Sequence, residues 1–209
     1  MLTFCVALMV AGVPEQAAPL VPAGPWRVVS NHDGIVVEAR PVVGTPFEEL
    51  RATAEMPAPP AQMVGLMWGD GSLKDASPGV SSRVVLRETA DTRVYYETVA
   101  APLVSPRDYV LQVDKGPFSL RFFTINDARR PPVDGVVRMP RIVGSSLAEP
   151  VPVKPDACRV VHSVFSDIGG AVPAWVARSG QRDSMIGWMK ALRARASSPR
   201  AAPVNAGGG

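Results

Sequence analysis

The chain has 209 residues, 46% of them apolar, 20% charged and 6% aromatic, enough for one globular domain with a sizeable core and incompatible with wholesale disorder. Twenty-two Lys and Arg against 19 Asp and Glu leave a formal charge of +3, interspersed without a basic block, so no nucleic-acid partner is expected. Two cysteines, Cys5 and Cys158, and two histidines, His32 and His162, exclude a disulfide framework and form no zinc pattern, and no motif calls for a metal or a cofactor.

Residues 2–13 are apolar and uncharged, too short a run to cross a bilayer of about 30 Å as a helix. They read as the core of a signal peptide, although no Lys or Arg precedes them; the competing reading is a frayed N-terminal extension. A signal peptide implies export to the periplasm or the medium, an extension a cytoplasmic protein. Residues 14–25 carry Pro14, Pro19, Pro22 and Pro25 among small residues, which predicts an extended linker. The domain is expected over residues 26–196. Residues 197–209, rich in Ser, Pro, Ala and Gly, predict a disordered tail.

Within the domain the pattern is mainly strand. Residues 26–30 and 35–40 flank Asp33-Gly34, a hairpin-turn signal because glycine accepts positive φ. A third strand follows over residues 47–56. Pro59-Pro60 then introduces a short helix over residues 62–68, with Met63, Leu66 and Met67 on one face. Residues 83–89, 93–99, 109–114, 120–126, 135–142 and 158–165 are rich in Val, Tyr, Phe and Thr and separated by turn residues, so they predict strands that pair antiparallel with their chain neighbours. The last element differs: residues 173–196 suit a helix with Met185, Trp188, Met189 and Leu192 in an apolar stripe, and Gly180 predicts a local weakening, a kink or a break near Ser179.

An antiparallel sheet of about nine strands with one long apolar helix at its end buries both most economically by curling around that helix. The fold class is therefore α+β. Composition leaves open whether the space between helix and sheet is filled by side chains or is a cavity for an apolar ligand.

Several segments then carry a family resemblance. Trp26, Asp33-Gly34-Ile35-Val36-Val37, Arg40, Gly44-Thr45-Pro46-Phe47 and Arg51-Ala52 resemble the opening of a START domain, the StAR-related lipid-transfer fold. Pro102-Leu103-Val104-Ser105-Pro106-Arg107-Asp108-Tyr109-Val110, Gly135-Val136-Val137-Arg138-Met139 and Asp167-Ile168-Gly169-Gly170-Ala171-Val172-Pro173-Ala174-Trp175 resemble later segments of the same family, in order. The resemblance, to a stand-alone member of bacterial type, implies a helix-grip fold whose curved antiparallel sheet wraps a long C-terminal helix around a tunnel for one lipid. Two departures stand out. The tryptophan that many members carry is absent from Gly144-Ser145-Ser146-Leu147, and of the acidic and basic pair of sterol-binding members only the acidic position is matched, by Glu97, the basic one falling on Val113.

On this reading the candidate ligand-binding residues are Tyr95, Glu97, Arg107, Met185, Trp188, Met189 and Leu192. Tyr95, Glu97 and Val99 share a strand face, so a carboxylate enters an apolar neighbourhood where it must be paired or held protonated. Arg107 and Asp108 point to opposite faces, so only one of them faces the tunnel. Trp175 is expected to anchor the start of the helix, and Gly169-Gly170 to serve as its hinge. No catalytic residue is assigned, for no nucleophile, metal or nucleotide motif is present. The expected partner is a lipid or other apolar small molecule, with transient membrane contact, and the expected state is a monomer. Two alternatives stand beside lipid carriage: a helix-grip enzyme using Glu97 or His162 on an apolar substrate, and an interaction module with a filled core.

Overall fold

The computed structural model describes residues 18–69, 79–101 and 104–198. The apolar run 2–13, with Cys5, and the tail beyond residue 198 lie outside the described residues. Strands β1 (Arg27–His32) and β2 (Ile35–Pro41) form the predicted hairpin, His32 opposite Ile35. Its two-residue turn holds Asp33 at φ 54° and Gly34 at φ 69°, the double positive φ that matches the twist of the strands. The guanidinium groups of Arg40 and Arg51 lie over the Trp26 ring, 4.4 and 4.3 Å from its centre. The chain joins the sheet ahead of Trp26: Ala23 N–H donates to Pro41 C=O and Val43 N–H to Val21 C=O, both at 2.9 Å.

Strand β3 (Glu48–Met56) leads through Pro59 into helix α1 (Pro60–Trp68), with Met63, Val64 and Met67 buried. The remaining strands are β4 (Val80–Glu88), β5 (Thr92–Ala101), β6 (Val104–Lys115), β7 (Ser119–Thr124), β8 (Val137–Arg138), β9 (Arg141–Val151) and β10 (Lys154–Asp167), and helix α2 (Ala174–Ser197) closes the fold. The sheet runs β1-β2-β3-β10-β9-β7-β6-β5-β4, nine strands with every neighbouring pair antiparallel.

Three expectations are corrected. The strand predicted over residues 135–142 is two elements: β8, two residues long and parallel to β6, and the start of the eleven-residue β9. β9 was hidden because Gly144, Ser145, Ser146 and Pro150 are poor strand formers; it forms because it lies between β10 and β7. Gly144 is required there, since a Cβ at that position would meet Ser163 C=O at 2.3 Å and the Phe122 ring at 2.5 Å. Second, Gly180 does not interrupt α2, which is one helix of 24 residues. Third, Trp175 is 70% exposed and anchors nothing in the core; Ala177, two residues on and so on the opposite side of the helix, is the buried one.

The solid core lies at one end of the helix–sheet layer. Met185, Met189 and Leu192 of α2 pack with Ile35 and Val37 of β2, Leu50, Ala52 and Ala54 of β3, Val160 of β10 and Met63 of α1. Polar contacts seal this end, with Lys190 Nζ 2.7 Å from Asp33 Oδ2 and Arg193 Nη1 donating to Asp33 C=O at 2.6 Å.

Candidate functional site

Beyond that core the first half of α2 spans a hollow. The inner face of the sheet and the helix line a partly open cavity of about 710 Å³, within the usual range for small-molecule sites. Its walls are mainly apolar, with Leu111, Val113, Phe122, Ile142, Val164 and Met185 among them.

Of the seven candidates, Tyr95, Glu97, Arg107, Met185 and Trp188 line this cavity. Met189 and Leu192 do not; both are fully buried in the core at the far end of the helix, where β2 and β3 rise to meet it. The stripe is thus continuous in sequence but divided in space between wall and core.

Glu97 is 2% exposed and both of its oxygens are engaged: Arg83 Nε–H donates to one and Tyr109 O–H to the other. Arg83 stands directly opposite Glu97 in the β4–β5 register, and its guanidinium lies over the Tyr95 ring at 4.8 Å. The basic partner missing at Val113 is therefore supplied from the neighbouring strand. Sequence reasoning missed Arg83 because strand register, which decides who faces whom, leaves no mark in the residues themselves. Burial, then the negative charge of Glu97, pushes the Tyr109 hydroxyl well above its ordinary pKa of 10, so it stays a donor.

Arg107 and Asp108 divide as strand alternation requires. Arg107 faces the cavity and binds the chain leading into α2: Nε–H donates to Ile168 C=O at 3.1 Å and Nη2–H to Gly169 C=O at 3.4 Å. Asp108 faces away and is held by Arg138 at 2.7 and 3.0 Å and by Tyr96 O–H at 2.9 Å. Burial opposes its charge, but these donors hold its carboxyl below the usual value. Gly169 and Gly170 turn the chain at φ 61° and 67°, and Asp167 Oδ1 accepts from Gly169 N–H at 3.0 Å. Gln181 Nε2–H adds a second tie, to Ser166 C=O at 2.8 Å.

A second polar group, named above only for the enzyme alternative and not among the seven ligand-binding candidates, also lines the cavity. His162 of β10 lines the cavity with its ring stacked against Trp188, at 4.3 Å, and Phe122, at 5.6 Å. Its Nδ1 is 2.8 Å from Ser146 Oγ. The residue keeps partial exposure, and desolvation of the ring lowers its pKa to about 4, so the imidazole is neutral near pH 7.

Fold and site together define a helix-grip protein with an internal apolar cavity and inward-facing polar groups. No protein-family model matches the chain. An uncharacterized protein of Pseudomonas aeruginosa is 25% identical over 176 residues, spanning 82% of this chain and 86% of that one. A STAR-related lipid transfer protein from Xanthomonas axonopodis superposes with a TM-score of 0.71 at 26% identity, covering 83% of this chain and 99% of that structure. Human StAR-related lipid transfer protein 5 gives 0.66 at 23% identity over 82% of this chain and 85% of its own. A Streptomyces aromatase/cyclase shares the fold at 0.53 and 13% identity, over 72% of this chain and 93% of that one. The chain has the START-type helix-grip fold.

Proposed function

We propose that the protein binds one lipid or similar apolar molecule in the cavity and carries it, without chemical conversion. The observation that supports this is the hollow between the sheet and the first half of α2, about 710 Å³ with a mostly apolar wall. Burying a ligand there gains about 25 cal/mol for each Å² of apolar surface. The Glu97–Arg83–Tyr109 set supplies a polar handle for a head group: its charges already compensate one another, so the site accepts a neutral ligand without stranding a buried ion. The same pairing argues against Glu97 as a general base, because either oxygen would first have to give up its donor.

Entry and exit are assigned to the first half of α2, with Gly169-Gly170 as its hinge. Trp175 stands exposed beside that hinge, and an exposed tryptophan suits the water–lipid boundary, so this end is the proposed point of transient membrane contact. The test is native mass spectrometry of the purified full chain before and after organic extraction, followed by incubation of the recovered lipid with fresh protein. An apolar adduct that is removed by extraction and rebinds unchanged supports carriage. Conversion of the recovered molecule, abolished by Glu97→Gln or His162→Phe, would make the protein an enzyme instead.

A further inference from the structure

We propose that His162 forms a second polar subsite in the cavity, donating a hydrogen bond from Nε2–H to an oxygen of the ligand, so that the ligand is an elongated apolar molecule bearing an acceptor oxygen near each of two ends. The inference rests on the cavity being a ligand site, as proposed above, and adds what the ligand must look like.

The direction of the Ser146–His162 hydrogen bond fixes the tautomer. Ser146 is 2% exposed, and among the described residues its hydroxyl has His162 Nδ1 as its hydrogen-bond partner. Were Nδ1–H the donor, the serine hydrogen would be left buried without an acceptor, which costs about 1–3 kcal/mol. With Ser146 O–H donating, its hydrogen is satisfied, Nδ1 is the acceptor and the ring proton resides on Nε2. The Nε2 atom has no protein partner among the described residues. It is also not a sealed orphan, since the fully buried side-chain atoms without a partner are Arg93 Nε and Arg141 Nε. Trp188 and Phe122 both stack with the ring, and Nε2 keeps accessible surface in a residue that lines the hollow. The outcome is a neutral, oriented donor in an apolar wall.

The two polar groups are well separated. Tyr109, which binds Glu97, and Val113, whose register partner Phe122 carries the His162 stack, lie four residues apart on β6. That is about 13 Å of wall at roughly 3.3 Å per residue. A fatty chain with a single head group leaves His162 unmet; a molecule oxygenated at both ends satisfies both groups.

The test uses the full-length protein and three rigid probes: a steroid diketone with a keto group on each terminal ring, the corresponding monoketone, and the parent hydrocarbon. Binding is read from quenching of tryptophan fluorescence, since Trp68 and Trp188 line the cavity. The wild type should bind the diketone about tenfold tighter than the monoketone, the worth of one good hydrogen bond. His162→Phe, which keeps an aromatic ring and loses the N–H, should erase that advantage. Diketone and monoketone binding equally in the wild type, or a preference that survives His162→Phe, would overturn the second subsite but leave the cavity reading intact. Failure of all three probes would overturn both. Nitrogen NMR of the histidine rings gives a check that needs no variant: His162 must carry its proton on Nε2, and an Nδ1-protonated ring would refute the donor role.

Discussion

The two halves of α2 face the same sheet and do opposite work. In the second half Met189 and Leu192 are buried against β2, β3 and α1, and Lys190 and Arg193 fasten the outer surface to the β1–β2 turn. In the first half the inward positions are Ala177, Gly180, Gln181 and Ser184, too small or too polar to fill the space, and the attachments are a small cluster of Ala177 with Val42, Phe47 and Phe165 together with hydrogen bonds to backbone carbonyls at the rim. One helix is therefore anchored by packing at its C-terminal end and latched by polar contacts at its N-terminal end. The difference shows how a single amphipathic stripe yields both a stable fold and a movable cover: removing large side chains from half of the stripe leaves a hollow, and the other half supplies the stability.

The largest expected effect tests the packed half. Leu192→Ala should lower the unfolding free energy by about 2–5 kcal/mol in urea titration, the range for a buried leucine. A loss under about 1 kcal/mol would mean that this end is as loose as the other.

The boundary between the halves, where Trp188 covers His162, is tested by pH. Burial lowers the His162 pKa from 6.5 in the unfolded chain to about 4 in the folded one. As pH falls below 6.5 the unfolded chain takes up a proton that the folded chain refuses, so stability declines by about 3 kcal/mol down to pH 4 and then levels off. The difference between wild type and His162→Phe across that window isolates this contribution from the carboxylates; parallel curves would show the ring open to bulk water.

The smallest effect belongs to the latch. Gln181→Ala removes the tie to Ser166 C=O, worth about 1 kcal/mol, and should speed amide exchange several-fold over residues 168–184 while leaving residues 185–197 unchanged. Equal acceleration along the whole helix would show that α2 opens as one unit.

Much of this was legible in the sequence, and the reasons for the rest are specific. Asp33-Gly34 marks its turn because few residue pairs accept two successive positive φ values, and the strands around Tyr95 and Val110 announce themselves by β-branched and aromatic residues. β9 did not, because its Gly144 and serines are chosen for the Phe122 ring and the His162 hydrogen bond across the sheet, contacts that no local pattern encodes. Glu97 was found from its position on an inward face, whereas Arg83 and Ser146, its counterpart groups on the polar walls, depend on register between strands. The division of the α2 stripe into wall and core depends on where the sheet curls away, which is a property of the whole fold.

The space beneath the first half of α2 is free of protein and lined mainly by apolar side chains. The most direct measurement is a crystal structure of the full-length protein equilibrated with xenon, a gas that occupies apolar cavities. Xenon sites between Leu111, Val164 and Met185, with the protein otherwise unchanged, are the predicted result; a space filled by the protein's own side chains, with no xenon beneath α2, would contradict it.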